Sequence, residues 1–467
     1  MKIKRLIMVF FVVGALSSCR EKVIDPVVSD TEVNNWIYDN MTTWYYWDDK
    51  LPPNPNRSLA PSPFFESLLY TYNATLRPDG DRFSWIQENA DELKASLSGE
   101  SKTTGMDFRL VRYSGSNDIF GIVLYTLPGS PAAQAGFRRG DFFTQINGQK
   151  LNSSNYYSLL YNNDKKSFTM GSVDGSGNIV STSQVREVTP VVFQEDPVFF
   201  DTLFVRGSKR IGYVVYHQFI PGPNGGTTKT YDQKLDNIFA KYKSENINEL
   251  IIDFRYNGGG YVSSAVNLAS LIAKGVTANE VFAYKEWNKT ITPELEKEYG
   301  KEFFADKFVA KPQNVGGNLS RVFVLTSSRT ASASELLING LKPYMNVLTV
   351  GATTTGKNVG SITLSDDKKR IKWGIQPIVS KSFNSQRKSD YSAGFQPNYE
   401  QSEGFVLYPY GDTRDPLLGT ALAQIIGTQN GRRGLEDTEP VVRAGQEVGS
   451  SVDRKAGGAN MFYELPK

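Results

Sequence analysis

Val322-Phe323-Val324-Leu325, followed after a short polar turn by Thr330-Ala331-Ser332-Ala333-Ser334-Glu335-Leu336-Leu337, is the stretch on which the fold turns. An unbroken apolar run of four reads as a strand buried on both faces, and 332–342 reads as the helix that follows it. A strand that enters a helix through small residues exposes one side chain at the helix start. It also aims backbone N–H groups, with the positive end of the helix dipole, at any adjacent oxyanion. That geometry suits a serine nucleophile at Ser332. The same residues fit a capping box, with Glu335 three positions after Ser332, so the pattern alone leaves cap and nucleophile both open.

Working outward, Ile211-Gly212-Tyr213-Val214-Val215-Tyr216, Leu250-Ile251-Ile252-Asp253-Phe254 and Val347-Leu348-Thr349-Val350 are further strand candidates, and 262–273 reads as a helix. Strands alternating with helices predict an α/β core over 196–428. Two more segments in it can carry chemistry. Asp253-Phe254-Arg255-Tyr256-Asn257-Gly258-Gly259-Gly260 ends a strand in three glycines, which lets a backbone N–H approach a ligand closely, as in an oxyanion hole; a plain loop explains it equally. Gly351 to Lys357 spells a phosphate-binding loop, yet Asn358 stands where a Mg²⁺-holding hydroxyl belongs. Strand and turn residues follow where a helix must open, so nucleotide binding is not expected. A serine nucleophile needs a base. The chain holds one His, His217, and one Cys, so the choice is His217 or a lysine. Lys357, among Gly, Thr and Val, would serve if desolvation lowered its pKa from about 10.4 towards neutrality. His217, on a strand among aromatic residues, reads as structural.

The remainder of the 467 residues divides by composition. Residues 1–19 read as a lipoprotein signal peptide: Lys2, Lys4 and Arg5 precede an apolar stretch too short to span a bilayer. It ends in Leu16-Ser17-Ser18-Cys19, which resembles a bacterial lipobox and makes Cys19 the expected lipidation site. Residues 20–30 read as a tether. Residues 31–102 read as a small helical domain built on Trp36, Ile37, Met41, Trp44 and Tyr45. Residues 103–195 form a β-rich module whose stretch from Leu127 to Gln149 resembles the middle of a PDZ domain. Such domains add an extended peptide as a strand. Residues 429–467, rich in Gly and charge, read as a flexible tail. A net charge of +3 without clustered Lys and Arg argues against a nucleic-acid partner. The same shortage of Cys and His excludes a disulfide scaffold and a Cys/His zinc site.

The order of these segments, with the Asp253–Gly260 string, Ala331-Ser332-Ala333-Ser334-Glu335 and Gly356-Lys357, resembles the C-terminal processing peptidases, also called tail-specific proteases. The resemblance covers roughly residues 30 to 427. It implies a multidomain α/β protein with a helical N-terminal domain, a PDZ domain and a crotonase/ClpP-like catalytic core. It implies a serine endopeptidase acting near C-terminal ends, with Ser332 as nucleophile, Lys357 as general base, and the N–H groups of Ala333 and Gly259 as oxyanion hole. Its partner would be a protein or peptide with an accessible C-terminus. No cofactor or metal is implied. With the lipid anchor, the expected location is a bacterial cell envelope, on the periplasmic or outer-membrane face. Where the family often places a Gln four residues after the lysine, this chain has Ser361, which could orient Lys357 instead. A catalytically inactive, envelope-tethered peptide-binding protein and a Ser-His peptidase using His217 are the alternatives.

Overall fold

The computed structural model describes residues 28–162, 164–427, 442–443, 445–455 and 459–466. Cys19 and the expected signal peptide lie outside the described residues. Among those residues, no helix is long and apolar enough to cross a membrane.

The first helix, Asp30–Trp44, starts where Ser29 and Glu32 close a capping box, and it buries Val33, Ile37 and Met41. These side chains pack against Phe64, Phe65 and Leu68 of the Pro61–Leu68 helix. They also meet Val359, Ile375 and Ile378, so the N-terminal domain is seated on the core. The PDZ domain is an antiparallel sheet of Met106–Arg112, Ile119–Thr126, Phe142–Ile146, Lys166–Val173 and Ile179–Val188. Its Phe108, Phe143 and Phe168 pack edge to face.

The core sheet runs Val198–Arg206, Lys209–Tyr216, Glu249–Asp253, Arg321–Thr326, Asn346–Gly351, Tyr399–Glu400. All its pairings are parallel except the first hairpin. The predicted helices appear as Val262–Ile272 and Ala333–Leu341, packed with Thr230–Ser244 on one face, while Pro416–Ile426 covers the other. Crossover helices on both faces are what its continuous apolar strands require. A second sheet runs Gly259–Tyr261, Asn460–Phe462, Val359–Ser361, Ile378–Asn384, Val281–Trp287, Ala305–Lys307.

That second sheet corrects one expectation. The described part of the expected flexible tail is structured: Glu447–Ser450 pairs with the PDZ strand Met106–Arg112, and Asn460–Phe462 joins the second sheet. Average composition hid a run of three apolar residues, Met461, Phe462 and Tyr463, all buried here.

Candidate active site

Ser332 stands between the strand Arg321–Thr326 and the helix Ala333–Leu341 with φ 64° and ψ −115°. A side chain other than glycine in that region costs about 1–3 kcal/mol and persists only where its surroundings fix it. The surroundings are explicit. Thr330 donates through its hydroxyl to the Phe254 carbonyl at 2.8 Å. The Ala331 N–H reaches the Asn257 carbonyl at 3.2 Å, and the Ser334 hydroxyl reaches the same oxygen at 3.0 Å. The Ser332 turn is thereby bolted to the glycine loop. The Ser332 hydroxyl itself is buried and makes no hydrogen bond among the described residues.

Glu335 ties Ser332 to Lys357. One of its oxygens accepts the Ser332 N–H and the Lys357 N–H, each at 2.8 Å, and the other accepts the Gly356 N–H at 2.7 Å and the Thr354 hydroxyl. Two backbone nitrogens on one oxygen make Ser332 and Lys357 neighbours, although 24 residues intervene. Burial pushes the Glu335 carboxyl up, and the N–H and hydroxyl donors partly pull it back.

Lys357 is fully buried. Its Nζ lies 5.0 Å from the centre of the Phe83 ring and donates to the Ala459 carbonyl at 2.6 Å. Desolvation lowers its pKa to about 7, against the opposing pull of Asp81 and Glu335. A lysine tuned this way is substantially neutral at physiological pH and can accept a proton. The N-terminal domain builds much of this environment. Asp81 accepts from the Tyr45 hydroxyl at 2.9 Å and from the Phe83 and Ser84 N–H groups, and Arg82 donates to the Gly356 carbonyl at 2.8 Å.

The N–H group expected to serve as an oxyanion donor, that of Gly259, is already engaged. The Gly259 N–H is taken by the Asn257 side chain at 2.9 Å, and its carbonyl accepts from the Phe219 N–H at 2.8 Å. The N–H groups of Gly258 and Ala333 donate to no group among the described residues and are the two free donors at this junction. Gly260 must be glycine, since a Cβ there would sit 2.1 Å from the Phe219 carbonyl oxygen. Ser361 also departs from its expected role: its hydroxyl donates to the Met461 carbonyl at 3.3 Å. His217 is buried between Tyr125 and Phe199, 4.1 and 4.6 Å between ring centres, with Nε2 at 3.2 Å from the Tyr410 hydroxyl. Burial holds it well below its ordinary pKa, and the Ser332 hydroxyl does not bond to it.

Sequence reasoning missed Asp81, Arg82 and Phe83, which carry no local signal because their partners are far along the chain. It saw Glu335 only as a cap. The Ser332–Glu335 spacing was the available clue. The PDZ domain is wired to the same loop. Arg139 pairs with Glu403 at 2.6 Å, and Arg255 pairs with Asp253, Glu403 and Asp415 at 2.7 to 3.0 Å. Among the described residues no group of three or more His, Cys, Asp or Glu side chains could hold a metal ion.

A strained serine at a helix start stands beside a desolvated lysine, on an α/β core with a PDZ domain, an arrangement similar to that of serine peptidases. More narrowly, residues 210–401 match the family model of peptidase family S41, residues 32–85 the peptidase S41 N-terminal domain, and residues 122–171 a PDZ domain. Residues 210–401, the core of this chain, thus match an S41 peptidase domain. Among curated relatives, the "C-terminal processing peptidase, chloroplastic" of Tetradesmus obliquus is 23% identical over 283 residues, 57% of this chain and 53% of that protein. A "Probable CtpA-like serine protease" of Staphylococcus aureus (strain bovine RF122 / ET3-1) is 23% identical over 246 residues, 52% of this chain and 42% of that one. The chain thus spans about half the length of the curated relatives it matches. Among solved structures, a "Putative S41 protease" from Bacteroides fragilis NCTC 9343 superposes with a TM-score of 0.69 at 26% identity, covering 84% of this chain and 97% of that one.

Proposed function

We propose that the chain is a serine endopeptidase that cleaves polypeptides near their C-terminal ends. The observation that carries this is the pairing, through Glu335, of a strained serine whose hydroxyl is unbonded with a buried lysine whose pKa is lowered to about 7. The neutral Lys357 amine takes the Ser332 hydroxyl proton as Oγ attacks the scissile carbonyl, and the Gly258 and Ala333 N–H groups receive the oxyanion. The tetrahedral intermediate collapses to an acyl-enzyme, and the Lys357 ammonium returns the proton to the leaving amine. Water then repeats the cycle on the ester. The PDZ domain presents the peptide. Cys19, outside the described residues, is proposed as a lipid anchor in a bacterial envelope; Cys19→Ala should release the mature chain from the detergent phase.

The test is hydrolysis of an unfolded protein by Ser332→Ala, Lys357→Ala and His217→Ala variants. The first two should be inactive and the third active. Activity kept in Lys357→Ala but lost in His217→Ala would overturn the dyad. An unaltered chain that binds peptides and hydrolyses none would overturn the enzyme reading.

A further inference from the structure

Two strand edges in this molecule face a peptide, and one segment of the chain fills both. Glu447–Ser450 runs antiparallel along Met106–Arg112, with Glu447 opposite Val111 and Ser450 opposite Arg109. Beyond it the Ser451 N–H reaches the Phe108 carbonyl at 2.9 Å, and the Phe108 N–H returns a bond to the Ser451 hydroxyl at 2.8 Å. Val448 packs on the PDZ core, and the Arg454 guanidinium lies 4.6 and 4.4 Å from the Tyr157 and Tyr161 rings. This is peptide capture by strand addition. Without the segment, Met106–Arg112 is an open sheet edge.

The segment then crosses to the catalytic core. Lys455 lies 2.9 Å from both Asp107 of the PDZ domain and Glu195. Arg329, three residues before Ser332, holds Asp453 at 2.7 Å and also pairs with Glu447. Finally Asn460–Phe462 lies between Gly259–Tyr261 and Val359–Ser361, parallel to both, and it alone joins those two strands into one sheet. Strands pack about 4.8 Å apart, so the glycine loop and the strand after Lys357 bound a slot one strand wide. Met461 is fully buried in it. Phe462 meets the Tyr261 ring at 4.1 Å beside Leu93 and Leu97, and the Tyr463 hydroxyl lies 3.0 Å from Ser382 Oγ. At the entrance the Lys357 amine is bonded to the Ala459 carbonyl, while the Ser332 hydroxyl bonds to nothing described. The amine of the proposed base is therefore tethered to the segment, in a register that does not engage the nucleophile.

We infer that the PDZ edge and the catalytic slot form one continuous track for extended polypeptide carrying consecutive apolar residues. Residues 445–455 and 459–465 are its built-in occupant, which a substrate must displace. The inference rests on the proposed peptidase reading for what displacement uncovers, but its test does not need turnover.

The experiment measures binding of a fluorescent peptide with the sequence of residues 445–466 to the full chain carrying Ser332→Ala. Expelling the segment with Met461→Asp and Phe462→Asp should tighten binding at least about tenfold, roughly 1.4 kcal/mol. Asp453→Arg, which reverses an ion pair at a half-exposed site and spares the core, should tighten it several-fold and covers the case in which the first variant misfolds. A Tyr261→Cys/Phe462→Cys disulfide, in a Cys19→Ser background, should abolish binding until it is reduced. Unchanged or weaker binding in Asp453→Arg, or equal binding by the locked and reduced chains, would overturn the inference and make the segment a structural strand. Peptide binding that behaves as expected in a chain whose unaltered form hydrolyses nothing would leave the track standing and remove only the enzymatic proposal.

Discussion

Lys357→Met tests the lysine through stability alone. Burial takes the Lys357 amine from the ordinary lysine value of 10.5 to about 7, and each pKa unit is worth about 1.4 kcal/mol. Below pH 7 the folded chain therefore carries a buried charge at a cost of about 5 kcal/mol, an upper figure because the Ala459 carbonyl is already bonded to it. The unfolded lysine keeps its proton up to about pH 10.4, whereas the folded one loses it near 7. Between those values the unfolded chain binds the extra proton, so stability rises with pH. Methionine fills the same space without the charge. At pH 6 the variant should be more stable than the parent by several kcal/mol, less about 1 kcal/mol for the lost bond to Ala459. At pH 9, two units above the folded pKa, that advantage should have shrunk by about 3 kcal/mol. Urea unfolding followed by tryptophan fluorescence reads it, because Trp287 is buried in the core and lies 6.1 Å from the Trp44 ring. Titrating groups that do not feel the lysine charge are common to both chains and cancel in the difference. A difference that stays flat from pH 6 to 9 would refute the claim that the lysine is neutralised by burial.

Asp81→Asn removes an anion that favours the charged lysine, so the rise of kcat/KM with pH should shift to lower pH, read as the midpoint of the profile. Glu335→Gln leaves four donors, the Ser332, Lys357 and Gly356 N–H groups and the Thr354 hydroxyl, with one neutral carbonyl oxygen in place of two carboxylate oxygens. Turnover should fall at least about tenfold, and stability by about 2 kcal/mol in denaturant titration. Ser332→Gly should abolish turnover yet unfold about 1–2 kcal/mol later than Ser332→Ala, because only glycine relieves the positive φ. Arg139→Ala leaves buried Glu403 with less of the positive charge that, against the upward push of burial, holds its carboxyl well below the ordinary range. It should cost about 3 kcal/mol and weaken the coupling between peptide binding at the PDZ edge and turnover.

The parts of this architecture legible in the sequence are those written in local pattern. The strand Arg321–Thr326 and the helix Ala333–Leu341 follow from an apolar run and an amphipathic one, and three glycines marked the loop beside them. Ser332 and Lys357 were singled out by scarcity and resemblance. Their contact through Glu335 could not be read, because a capping box and a shared carboxylate look identical until Lys357 is folded against it. Gly258 and Gly259 look alike in the sequence, because nothing in a run of glycines says which N–H a neighbouring Asn side chain will take. The last segment was misread for a related reason: Met461-Phe462-Tyr463 is too short to dominate its composition window, and its strand partners lie about 100 and 200 residues earlier.

The same non-local placement explains how a lysine can be made neutral without an unstable core. Phe83 comes from the N-terminal domain, Glu335 from the Ala333–Leu341 helix, and Ala459 from the last segment, so no single element bears the cost of enclosing Lys357. The N-terminal wall is fixed by the Arg82 and Asp81 bonds, but the Ala459 wall is only strand-paired. A peptide that replaces Asn460–Phe462 would restore the apolar cover while leaving the Lys357 amine free of the Ala459 carbonyl. Desolvation would be kept and the hydrogen bond lost, and both favour the neutral amine. On the proposed reading, occupancy of the slot by a peptide and release of the Lys357 amine are one event, because the segment that fills the slot is also the one bonded to that amine.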